Sequence, residues 1–129
     1  MNLLLDTNAL VWASDERRIK SLGKQSRRMI ENSGLVYFSS ISLAELQIKA
    51  TAGKFKNMPD VERALASGFI VMDFRVEHAQ TISNFPSLIH HDPFDRMLLA
   101  QAFSEQLVLL TSDETLLDLG LNYVLDARD

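Results

Sequence analysis

Short apolar runs separated by longer stretches of mixed character are the feature that most constrains how this chain can fold. Four such runs contain no charged residue: 3–5, 35–38, 69–72 and 107–110. Unbroken apolar runs of this length are typical of strands that are buried on both faces of a sheet. A fifth, weaker strand is predicted at 123–125. The sequence therefore predicts a sheet of four to five strands.

The stretches between these runs have the apolar period of helices. Helices are predicted at 21–32, 43–52, 76–85 and 93–103. Pro93 suits the first turn of the last of them, because proline has no backbone N–H to leave unpaired there. Strands that alternate with helices favour parallel βαβ units. The predicted fold class is α/β, a three-layer α/β/α sandwich with a central, mainly parallel sheet.

Length and composition predict one self-sufficient domain over residues 1–129. A chain of 129 residues, 47% of them apolar, can bury roughly two thirds of its unfolded surface. The absence of cysteine excludes a disulfide scaffold, thiolate zinc ligands and a cysteine nucleophile. The chain starts without a basic leader, and no apolar run approaches the roughly 20 residues that span a bilayer. The expected compartment is the cytoplasm, with no membrane partner.

Four acids lie where the predicted elements would bring them to one edge of the sheet. Asp6 closes the first strand, and Asp113 follows the strand at 107–110 after two hydroxyl residues. Asp95 lies in the first turn of the 93–103 helix, and Glu45 lies on an otherwise apolar helix. Sites in parallel α/β sheets form beyond the carboxyl ends of the strands. A buried acid such as Glu45 is costly unless a cation meets it.

Converging carboxylates repel one another unless a proton or a cation neutralises them. Hard divalent cations do this, and Mg²⁺ in particular binds a few carboxylates while keeping waters for the phosphates of a substrate. Such ions could activate a water and stabilise the leaving oxygen in phosphodiester cleavage. For any single acid the alternative is a helix N-cap or a solvated helix end, because aspartate is a common residue at both places.

Four motifs follow one another along nearly the whole chain: LLLDTNALVW, SSISLAELQIKA followed by GKF, HHDPFDRMLLAQA, and LVLLTSD. In this order and spacing they resemble the PIN-domain ribonucleases, specifically the VapC-type toxins of bacterial toxin–antitoxin pairs. The resemblance places the family's catalytic and metal-binding acids on Asp6, Glu45, Asp95 and Asp113. It implies a PIN-like fold, Mg²⁺ or Mn²⁺ as cofactor, RNA as substrate, a cognate antitoxin and a homodimer. The stretch after Asp113 departs from the more aromatic sequence usual in the family, which makes this acid the least secure ligand.

A basic segment precedes the second predicted strand. The chain has a net charge of −4, from 13 basic and 17 acidic residues, yet residues 17–28 contain six basic residues and no acid. On a helix, Lys24, Arg27 and Arg28 would project from neighbouring turns and could steer RNA toward an acidic pocket. A solvated helix face is the alternative interpretation of the same pattern.

Several polar neighbours of the acids have two possible roles. One role is to form hydrogen bonds to the acids or to a metal-bound water, and the other is to form turn and cap hydrogen bonds at strand ends. The residues concerned are Thr7, Asn8, Thr111 and Ser112. Asp92 is favoured as an N-cap, and His90 and His91 as loop residues, because magnesium sites prefer oxygen. Arg96 could hold Asp95, contact phosphate or form a surface ion pair. Trp12 is favoured as a core residue over a partner-facing one.

Two other functions fit part of the pattern. In a phosphoacceptor receiver-like regulatory domain, Asp73 would be the acceptor and Thr111 the switch hydroxyl, but the acidic pair after the first strand is missing. A haloacid-dehalogenase-like phosphatase would use Asp6 as nucleophile, but it needs an acid where the chain has Asn8. The sequence therefore predicts a metal-dependent endoribonuclease that acts as a toxin, with the non-catalytic receiver-like domain as the alternative.

Overall fold

A computed structural model describes residues 1–54 and 58–129 of the chain. Phe55, which ends the GKF motif, lies outside the described residues. The strands are β1 (Leu3–Leu5), β2 (Val36–Ser39), β3 (Ile70–Met72), β4 (Val108–Thr111) and β5 (Val124–Asp126). All pair in parallel in the order β3-β2-β1-β4-β5. The predicted α/β class with a parallel sheet is confirmed, and each predicted strand is present with its ends shifted by at most one residue.

Seven α-helices are found in the described part of the chain. They are α1 (Thr7–Ala13), α2 (Lys24–Asn32), α3 (Ser40–Thr51), α4 (Val61–Ala66), α5 (Val76–Thr81), α6 (Pro93–Glu105) and α7 (Glu114–Leu117). Short 3-10 helices cover Ile19–Ser21, Ile82–Asn84 and Pro86–Leu88. The predicted helices at 21–32 and 76–85 are thus each α-helical only in part. Neither α4 nor α7 was predicted, because six and four residues are too few to display a helical period.

The core has one layer on each face of the sheet. Leu3 and Leu5 belong to one cluster, with residues of α1 and the segment that leads into α2, whereas Leu4 belongs to the opposite cluster with residues of α6. This alternation follows from the period of two residues along a strand. All three leucines are 0% exposed, so β1 is buried on both faces as predicted. Within the described residues, no helix is long and apolar enough to cross a membrane.

The third strand lies at the edge of the sheet, where the prediction of burial on both faces is wrong. Ile70 and Val71 are 37% and 41% exposed, because β3 pairs only with β2. The same strand order contradicts the receiver-like alternative. In a receiver-like order the third strand lies beside the first, but here β2 separates β3, and with it Asp73, from β1 and Asp6.

The C-cap of α6 offers a test of the backbone conformation. Gln106 has φ 57° and ψ 42°, the left-handed region that glycine occupies with least strain. We expect Gln106→Gly to raise the free energy of unfolding by about 0.5–1 kcal/mol, measured by urea denaturation. Gln47→Gly in the interior of α3 is the control and should lower it by about 1 kcal/mol. Destabilisation by both substitutions would contradict the left-handed cap.

Candidate active site

One cleft lies at the carboxyl ends of the adjacent strands β1 and β4. Its volume is about 370 Å³, and its walls come from the ends of these strands, the helix α3 and the first turns of α1, α6 and α7. The lining residues are Asp6, Thr7, Asn8, Glu45, Lys49, Asp92, Asp95, Ser112, Asp113, Glu114 and Thr115. The structure thus brings together all four acids that the sequence singled out.

Asp6 is buried at the end of β1 and is held by three neutral donors. Its Oδ1 accepts from the backbone N–H of Ala9 at 2.7 Å, which caps α1. Its Oδ2 accepts from the Thr111 hydroxyl at 2.7 Å and from the backbone N–H of Ser112 at 3.3 Å. Burial raises the pKa of Asp6 to about 6, although these hydrogen bonds oppose the rise. Asp6 is therefore both a helix cap and a buried acid with no cationic hydrogen-bond partner among the described residues.

Glu45 is buried on α3, and both of its oxygens have a partner. Oε1 accepts from the Thr7 hydroxyl at 2.6 Å, and Oε2 accepts from Lys49 Nζ at 2.7 Å. The cation expected near this acid is therefore Lys49, one turn further along the same helix. The hydrogen bond to Glu45 raises the pKa of Lys49 above its ordinary value. Sequence analysis missed Lys49, although its i,i+4 spacing from a glutamate was a usable signal.

Asp95 and Asp113 face each other across the cleft with a histidine between them. His91 Nε2 lies 3.1 Å from Asp113 Oδ2 and 3.5 Å from Asp95 Oδ2, yet it is buried without a well-aligned hydrogen bond. Burial, followed by the charges of Asp113 and Asp92, raises the pKa of Asp95 to about 7. His91 lies on a loop, as predicted, and its ring also lies beside Asp95 and Asp113. His90 is exposed.

The remaining cap and loop predictions have mixed outcomes. The N-cap role of Asp92 is confirmed, because its Oδ1 accepts from the N–H groups of Phe94 and Asp95 at 2.8 and 3.2 Å. Asp113 also caps a helix, since its Oδ2 accepts from Leu116 N–H at 2.9 Å. The side chain of Arg96 donates to the carbonyl of residue 89 at 3.4 Å and forms no ion pair with Asp95.

The other predicted neighbours are placed as follows. Asn8 Nδ2 donates to Ser112 Oγ at 3.3 Å at the rim of the cleft. Trp12 is half-buried and packs against the core, as favoured. The basic residues of α2, namely Lys24, Arg27 and Arg28, line a separate surface depression together with Glu31. Their role in steering RNA stays a prediction.

A second group of one histidine and two acids lies outside the cleft and has a structural role. Its members are Glu77, His78 and Glu105. His78 is fully buried, and its Nδ1 accepts from the backbone N–H of Arg75 at 2.9 Å. Its Nε2 therefore carries the proton and donates to Glu105 Oε1 at 2.7 Å. Arg75 also pairs with Glu105 and with Glu77. Because the Nε2 lone pair is occupied by a proton and the acids already face a guanidinium, this group is a poor metal site.

The chain is similar to one protein family and to several solved structures. Residues 3–121 match the family model of the PIN domain. The chain is similar to VapBC2 from Rickettsia felis bound to a DNA fragment from its promoter, with 18% identity over 97% of this chain and 96% of that chain and a TM-score of 0.67. DNA-bound VapBC from Salmonella typhimurium is 21% identical over 87% of this chain and 86% of that chain, with a TM-score of 0.58. A toxin–antitoxin complex from Klebsiella pneumoniae is 19% identical over 97% of each chain, with a TM-score of 0.64. No curated protein sequence is significantly similar to the chain.

The chain belongs to the PIN-domain family, as its motifs predicted. Members of this family are nucleases, which hydrolyse phosphodiester bonds, and they typically use a divalent metal. The three similar structures are of toxin–antitoxin proteins, and at 18 to 21% identity they establish a shared fold.

The donors in the cleft fit a divalent cation. Ligand atoms of His91, Asp95 and Asp113 lie within 4.8 Å of one another, and the buried His91 Nε2 lacks a hydrogen bond. Carboxylate oxygens are the ligands that Mg²⁺ and Mn²⁺ favour, and imidazole suits several transition metals. Burial is the main cause of the raised pKa values of Asp6 and Asp95, and a bound cation would offset part of the cost of burying their charges.

The pKa of Asp95 predicts how stability depends on pH without a divalent cation. Because burial and neighbouring acids raise the pKa of Asp95 from 3.8 to about 7, its contribution to stability is fully present below about pH 4, falls as the pH rises from there, and is lost once the pH passes about 7. Asp95→Asn should therefore have little effect near pH 4 and should raise the free energy of unfolding by about 1–2 kcal/mol at pH 8. Urea denaturation in EDTA measures both values, with Asp118→Asn as the control. A difference that shrinks as the pH rises would contradict the crowded-acid interpretation.

Proposed function

We propose that this protein is a metal-dependent endoribonuclease and the toxin of a toxin–antitoxin pair. The observation that carries the proposal is the convergence of Asp6, Glu45, Asp95 and Asp113 on one cleft of a PIN domain. The proposed cofactor is Mg²⁺ or Mn²⁺, because the donors are mainly carboxylates. The proposed substrate is RNA, in keeping with the motif resemblance.

In this proposal the four acids would hold the cation. A bound ion of this kind supplies positive charge to the phosphodiester and lowers the pKa of an attacking water. The chain's own residues fix the acids for this task. The Thr7 hydroxyl orients Glu45, and Thr111 and Ser112 orient Asp6. Each acid belongs to a different segment of the chain, so no single loop has to position all four acids.

The proposed assembly follows from the similar structures and from the motifs. Two of the similar structures are of VapBC proteins and the third is of a toxin–antitoxin complex, which supports an antitoxin as partner here. We further propose that residues 1–129 form a single PIN domain, that the chain is a homodimer, and that it acts in the cytoplasm.

Substitution of the acids tests the proposed chemistry. Asp6→Asn, Glu45→Gln and Asp95→Asn should each lower the cleavage rate of a fluorogenic single-stranded RNA by at least about 100-fold, because each removes a ligand charge but keeps the shape. Asp113→Asn should lower it by about tenfold. EDTA should abolish activity, and Mg²⁺ or Mn²⁺ should restore it.

The control for these measurements is Asp73→Asn, an exposed aspartate at the end of the edge strand. It should retain full activity. Equal rates for wild type, Asp6→Asn and Asp95→Asn in metal-restored buffer would show that the assigned site is wrong. Cleavage of a DNA oligonucleotide but not of RNA would contradict the substrate class alone.

Competition with the cation tests the proposed partner. A peptide of a candidate antitoxin that places an arginine or lysine on the acids would compete with Mg²⁺ for the same carboxylates. Its affinity, measured by fluorescence anisotropy, should therefore fall as Mg²⁺ rises, and it should be lower for Asp6→Asn than for wild type. An affinity indifferent to Mg²⁺ would place the inhibitor elsewhere on the domain.

A further inference from the structure

Lys49 differs in charge from everything around it in the cleft. Among the described residues that line the cleft, it is the one lysine or arginine, alongside six acids. Its Nζ lies 2.7 Å from Glu45 Oε2, an ion-pair distance within one helix turn. The charges of Asp92 and Asp95 also attract it and help to raise the pKa of Lys49. The ammonium of Lys49 therefore neutralises part of the negative charge of the cleft in the absence of a bound cation.

The two members of this ion pair are anchored very differently. The side chain of Glu45 is 8% exposed and is also bound by Thr7, whereas the side chain of Lys49 is 45% exposed. A lysine is a compact charge on a flexible four-carbon stem, so its ammonium can leave while the stem stays on the helix surface. Glu45 cannot move in the same way without giving up its hydrogen bond to Thr7. Any exchange of partners at Glu45 therefore moves Lys49.

A divalent cation and the ammonium of Lys49 would repel each other if both bound Glu45. The Thr7 hydroxyl on Oε1 is neutral and can stay beside a cation, but the ammonium on Oε2 repels one. Magnesium ions approach carboxylate oxygens to about 2.0–2.1 Å, which is closer than the ammonium lies. A cation that binds Oε2 of Glu45 would therefore meet the ammonium of Lys49 at the same oxygen.

We propose that Lys49 is an internal counter-ion that competes with the divalent cation for Glu45. This inference rests on the proposed metal-dependent function and adds a regulatory element to it. Without the cation, Lys49 offsets part of the repulsion among the acids and supports the fold. With the cation, Lys49 must give up Glu45, so that cation binding is weaker than the acids alone would make it. The lysine thus raises the cation concentration at which the site fills.

Calorimetric titration of the full chain with MnCl₂ and with MgCl₂ tests this competition. Lys49→Met keeps the apolar stem and removes the charge, and it should bind either cation about three- to tenfold more tightly than wild type. Lys49→Arg keeps the charge and should bind like wild type. Lys54→Met, an exposed lysine outside the cleft, is the matched control and should also bind like wild type. Lys49→Gln removes the charge but keeps a donor for Glu45, and it replaces Lys49→Met if that variant does not fold.

Thermal unfolding of the same variants is the second readout. In EDTA, Lys49→Met should melt at a lower temperature than wild type, because Glu45 is left buried without a cation. Added Mn²⁺ should then raise its melting temperature by more than it raises that of wild type. Cation affinity that is unchanged or weaker in Lys49→Met, when wild type binds, overturns the competition but leaves the nuclease proposal standing. Absence of cation binding in every variant overturns both.

Discussion

The repulsion among carboxylates in the cleft beside the ends of β1 and β4 is the constraint on which the rest of this structure depends. Burial raises the pKa of Asp6 to about 6, and burial together with neighbouring acids raises that of Asp95 to about 7. The donors that hold Asp6 are neutral hydroxyl and backbone groups, which fix its position without cancelling its charge. The strand ends and helices hold these acids in place, and the group that contains Asp95 could bind a metal ion.

Three of the acids that line the cleft also begin helices, so the structural and the functional interpretations hold together. Asp6 caps α1, Asp92 caps α6 and Asp113 caps α7. A cap uses one carboxylate oxygen and leaves lone pairs free for a ligand. Asparagine in place of a capping aspartate can keep the cap and remove the charge. Activity and folding can therefore be separated by substitution at these positions.

Lys49 and His91 lie beside different acids of the site. Lys49 supplies a cation to the buried Glu45, whereas His91 lies between Asp95 and Asp113 with an unbonded ring nitrogen. One acid thus has an internal counter-charge, and the other two face a group that can act as a ligand. The cleft is consequently not a uniform acidic pocket, and its two sides should respond differently to a divalent cation.

The sequence by itself determined the alternation of strands and helices and the placement of Asp6 and Asp113 within two residues of the ends of strands. Both are local properties, because apolar runs and cap residues act within a few positions of the chain. It also determined family membership, through motifs that span most of the chain. Only the tertiary structure decided that β3 lies at an edge with Val71 exposed, that Lys49 lines the cleft, and that His91 lies beside Asp113. The spacing of Lys49 from Glu45 was a local signal, but strand order and the approach of His91 to Asp113 depend on contacts between segments far apart in the chain.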